Sequence, residues 1–97
     1  MNKKEHLLTI LIEECAEVQQ AATKTLRFGL KDRKKGVGPT NEEHLAYELN
    51  DLSAVVELLN AEGMNLHHNI GLVTTKKMKV GRYLEYSREL GTFDEQD

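Results

Sequence analysis

The sequence predicts an all-α fold: an antiparallel helical bundle of two long helices, a short helix and a C-terminal helix, with an oligomeric four-helix-type core. Three observations predict it. Apolar residues recur at helical spacing in three long segments, no segment alternates as a half-buried strand would, and Gly29, Gly63 and Gly91 stand where those segments end. Ninety-seven residues, 39% of them hydrophobic, make one small domain with a marginal core of its own, so association between chains is expected.

The first helix is expected over about residues 3–27, closed by Gly29, a residue that readily takes the left-handed conformation at a helix end. Residues 28–40, "FGLKDRKKGVGPT", hold three glycines and the only proline and form the one evident loop. The second helix opens at Thr40, with Glu43 three positions on in a capping-box pattern, and runs to Ala61 or Glu62 before Gly63. A short helix or turn around "NLHHNI" (65–70) precedes the last helix, about 72 to 90, and residues 90–97 are read as a frayed tail.

Acids interrupt the apolar arcs of both long helices. Among 16 acidic residues, three pairs fall at i, i+3: Glu14/Glu17, Glu48/Asp51 and Asp94/Asp97. Spacing of that kind arises by chance, so the phase around the helix decides. At about 100° per residue the first arc holds Leu7, Leu8, Ile10, Leu11, Cys15, Val18, Ala21, Ala22 and Leu26. Glu14 falls inside it and Glu17 at its margin, whereas Glu13 points further out. On the second helix, Glu48 points between Val55 and Leu59, and Asp51 between Val55 and Leu58. An isolated carboxylate in an apolar contact costs several kcal/mol or takes up a proton, so these acids call for a compensating cation. Four carboxylates without Cys or His ligands suit Mg²⁺, with Mn²⁺ as a substitute. A di-iron site of the carboxylate-bundle kind needs Glu-x-x-His pairs, and no histidine has a Glu three positions before it.

The remaining charges are segregated. Residues 24–35 carry Lys24, Arg27, Lys31, Arg33, Lys34 and Lys35 against Asp32 alone, although the net charge is −3. An acidic chain is a poor duplex binder, while a basic loop beside an acidic site suits a small polyphosphate. Lys77 lies on the last helix's apolar arc, where it could balance the acids or meet a phosphate; Arg82 points nearly opposite. Tyr83 and Tyr86 are read as packing residues. Cys15, the only cysteine, is expected as a small core residue, since acidic neighbours disfavour a reactive thiolate. One cysteine, no cleavage-like leader and no long apolar run suggest a reducing, cytoplasmic setting without membrane contact.

"EECAE" (13–17) followed by "ELND" (48–51) resembles the EExxE…ExxD signature of the MazG-like, all-α nucleoside triphosphate pyrophosphohydrolases. The resemblance extends over nearly the whole chain, most closely to small phage and bacterial single-domain members. It implies Mg²⁺-dependent cleavage of a (d)NTP between the α and β phosphates to the monophosphate and pyrophosphate. Matched by position, Glu14, Glu17, Glu48 and Asp51 would be metal ligands, and Glu13 would orient or deprotonate the attacking water. Lys24, Lys31, Lys77 and Arg82 would contact substrate, although Gly81 stands where the family pattern has Asn. The family typically forms homodimers or homotetramers. Two other readings are a catalytically silent helical adaptor of the same fold and a sister activity on dUTP, dUDP or phosphoribosyl-ATP.

Overall fold

A computed structural model describes residues 1–94. Among the described residues three α-helices are formed, α1 (Lys3–Phe28), α2 (Asn41–Ala61) and α3 (Ile70–Leu90), with a 3-10 turn at Lys34–Gly36. The chain divides into two compact units, Met1–Leu66 and the part from His67 onward. Each is described by itself.

The first unit is the α1–loop–α2 hairpin. Both helices begin with a full capping box: Asn2 with Glu5 and Thr40 with Glu43, each side chain satisfying the other residue's backbone N–H. Lys3 at the start of α1 pairs with Glu62 beyond the end of α2 at 3.2 Å. At the opposite end the Thr25 hydroxyl approaches the Asn41 carbonyl at 3.5 Å, so the helices run antiparallel. Between them Leu7, Val55 and Leu59 form the core, with Leu11 and Met64 packed against it. Leu59 is fully buried, and Ala21, nearer the loop end of α1, is buried as well.

The loop is tied to the helices rather than draped between them. Arg33 and Thr40 form an isolated antiparallel bridge. The Asn41 N–H donates to the Asp32 carbonyl at 2.9 Å, and that of Glu42 to Leu30 at 3.1 Å. The Arg33 guanidinium donates to the Gly38 carbonyl, and the Asn41 amide donates to that of Gly29 at 2.8 Å. Thr40, at the centre of these contacts, is buried. Gly29 ends α1 with φ +97° and ψ 155°, a region essentially restricted to glycine.

Two expectations fail here. No short helix forms at 65–69: the Asn60 side chain accepts the Leu66 N–H, and Asn69 becomes the N-cap of α3 by accepting from Leu72 at 3.0 Å. Those side-chain acceptors take the N–H groups that an additional turn would use, so α3 starts at Ile70 rather than about 72. Cys15 is exposed rather than in the core, and Ala22 and Leu26 are exposed with it, Leu26 to 88%. Within this unit α2 covers a strip of α1 narrower than the whole apolar arc.

The second unit consists of α3 and its flanks. No residue of α3 is buried, and Ile70, Leu72, Met78, Val80, Tyr83, Leu84 and Tyr86 are all exposed. The αL conformation of Gly91 closes the helix. Of the expected frayed tail, residues 92–94 have no regular structure, and residues 95–97, including Asp97 of the third acid pair, lie outside the described residues. Among the described residues no helix is long and apolar enough to cross a membrane.

Candidate metal centre

The antiparallel pairing of α1 and α2 brings acids from both helices together. Glu14, Glu17 and Glu48 each offer a carboxylate oxygen, and the three oxygens lie within 4.8 Å of one another. Glu14 is half-buried and Glu17 exposed, while the Glu48 side chain retains only 14% exposure. The Oε2 atoms of Glu14 and Glu48 are both buried without a hydrogen-bond partner. Such orphaned acceptors are costly unless a cation or proton meets them.

The titration of the cluster follows from this crowding. The Glu14 carboxyl is raised above its ordinary 4.5 by burial first, then by the charges of Asp51, Glu48 and Glu13. Glu17 is raised too, first by the adjacent Glu48 carboxyl, with which it can share a proton, and next by the charge of Glu14. Hard carboxylate oxygens from three residues, two of which also carry an unsatisfied buried oxygen, fit Mg²⁺ or Mn²⁺, and the group of three contains no soft ligand.

The other expected site residues are placed less tightly. Asp51 is exposed and outside the group of three, yet near enough for its charge to raise both Glu14 and Glu17. Glu13 is exposed on α1, its charge acting on Glu14. Lys31 is exposed and pairs with Glu42 at 3.0 Å. Lys77 and Arg82 are exposed on α3, in the second unit.

His44 is a participant the sequence reading passed over. Its Nε2 lies 3.0 Å from Glu48 Oε1, holding the oxygen opposite the orphaned one. The signal for it in the sequence is the i, i+4 spacing of His44 and Glu48 on one helix face, which differs from the Glu-x-x-His spacing of a di-iron site. His44 also lines a cavity of about 630 Å³ at the loop end of the unit, together with Lys24, Phe28, Lys34, Val37 and Pro39. Lys24 thus lines this cavity. Compared with protein-family models, curated proteins and solved structures, the chain matches none.

Proposed function

We propose that the protein is a Mg²⁺-dependent nucleoside triphosphate pyrophosphohydrolase of the MazG-like kind, releasing pyrophosphate and a nucleoside monophosphate. The observation that supports it best is the convergence of Glu14, Glu17 and Glu48 with two buried oxygens left unsatisfied. Glu14, Glu17 and Glu48 would hold the metal, with Asp51 completing the acidic wall. When bound, the cation supplies charge neutralisation for the phosphate oxygens. Glu13, solvent-facing one turn from Glu17, orients or deprotonates the attacking water. His44 fixes the Glu48 carboxylate by its hydrogen bond, so that the second oxygen stays directed to the site. Lys31, on the loop of the same unit, is assigned to the substrate's phosphates.

The test is pyrophosphate release from a panel of NTPs and dNTPs with Mg²⁺, Mn²⁺ or EDTA, for wild type and Glu48→Gln. Metal-dependent release, lost by at least 100-fold in a folded Glu48→Gln protein, is the expected result. Absence of release from every nucleotide would favour the adaptor reading, for which the exposed apolar residues Ile12, Leu26, Leu49 and Leu58 speak. The same residues support a homodimer or homotetramer as the working form.

A further inference from the structure

We infer that the cavity at the loop end of the first unit is the seat of the nucleoside portion of a nucleotide, its base against Phe28 and its first phosphate toward Lys24 and Lys34. The inference rests on the pyrophosphohydrolase reading for its direction, but the cavity's features point to such a ligand by themselves. At about 630 Å³ it falls within the range of small-molecule sites. Its walls combine an apolar surface, formed by Phe28, Val37 and Pro39, with a few polar groups.

Phe28, the last residue of α1, is half-exposed at the loop end of the unit. The Arg27 guanidinium lies 4.8 Å from its ring centroid, bracing an aromatic surface on which a base can stack. Lys24 and Lys34, both exposed, have no salt-bridge partner among the described residues, whereas Lys31 and Arg33 of the same basic segment are paired with Glu42 and Glu43. The two unpaired ammonium groups at the cavity are therefore available to an anion. Asp32 adds an acceptor suited to a base amino group or a sugar hydroxyl.

The cavity is also correctly situated. His44 belongs to its wall and bonds to Glu48, four residues and about 6 Å along the helix. On α1, Lys24 follows Glu17 by seven residues, which puts both on the same face two turns apart. A ligand with an apolar aromatic end and an anionic chain spans from one place to the other. The loop walls are prearranged for it by the Arg33–Thr40 bridge and the hydrogen bond from Arg33 to Gly38.

The test uses the full chain in EDTA, titrated calorimetrically with dAMP, dCMP, dGMP and dTMP, so that binding is read without metal and without turnover. At least one monophosphate is expected to bind, with Phe28→Ala weakening it tenfold or more and Lys34→Ala weakening it by a smaller factor. Val37→Trp, which fills the cavity from a solvent-facing loop position, gives the same loss if Phe28→Ala disturbs folding. No binding by any of the four, or unchanged binding in the folded variants, overturns the proposal. Pyrophosphate release measured in parallel separates it from the reading it rests on. Cavity-dependent binding without turnover leaves the cavity standing and removes the hydrolase; turnover with KM unchanged in Phe28→Ala and Val37→Trp does the reverse.

Discussion

Glu14 and Glu48 each keep one oxygen away from water and from every donor, and this has a thermodynamic sign. The carboxyls of Glu14 and Glu17 are raised above 4.5, so between 4.5 and their folded values the native protein binds more protons than the unfolded chain. Their contribution to stability is present in full below 4.5 and is lost as pH rises through the folded values. Glu43 behaves oppositely: the Thr40 backbone and side chain hold its carboxylate low, and its contribution fades only as pH falls below 4.5. In EDTA, the Tm of Glu14→Gln minus that of wild type should therefore increase from pH 4.5 to 7.5, and Mg²⁺ at pH 7.5 should reverse its sign. Thermal unfolding followed by circular dichroism checks both, and a flat difference would remove Glu14 from the cation site. The inward phase of Glu14 and Glu48 was legible in the sequence because it depends on helix geometry alone. Asp51 and Cys15 were not, because exposure depends on how far the neighbouring helix reaches, and a helical wheel contains no neighbour.

At the scale of elements, the loop joint is where small changes should matter most. Thr40→Ala removes the buried hydroxyl that caps α2, and should cost about 1–2 kcal/mol in urea denaturation. Asn2→Ala, at an exposed cap, should cost less. Gly29→Ala would meet no atom within 4 Å, yet its backbone conformation should still make it destabilising by about 1–3 kcal/mol. A substitution without steric conflict that behaves like a core mutation would identify backbone strain as the cause. The Thr40–Glu43 box and the glycine stops were readable because capping depends on residues within one turn. The missing short helix at 65–69 was not, because Asn60 and Asn69 were free to compete for its N–H groups only once α2 and α3 were in place.

At the scale of the molecule, the first unit buries very little: Leu7, Ala21, Val55, Leu59 and Thr40. On α1 the exposed residues Leu8, Ile12, Cys15, Ala22 and Leu26 share one side, a second apolar strip next to the one that meets α2. Sedimentation equilibrium should find an oligomer, and Leu26→Glu together with Ile12→Glu should shift it to monomer with a lower Tm. A wild-type chain that stays monomeric at high micromolar concentration would refute this. The tethered loop has a further consequence for how the unit opens. The first four N–H groups of a helix usually exchange with solvent quickly, having no carbonyl to bind. In α2 all four are engaged: that of Thr40 by the Glu43 carboxylate, Asn41 by Asp32, Glu42 by Leu30, and Glu43 by the Thr40 hydroxyl. Deuterium should therefore enter Asn41 and Glu42 only when residues 30–40 release them, so that the loop and the start of α2 exchange as one cooperative piece beside the carboxylates.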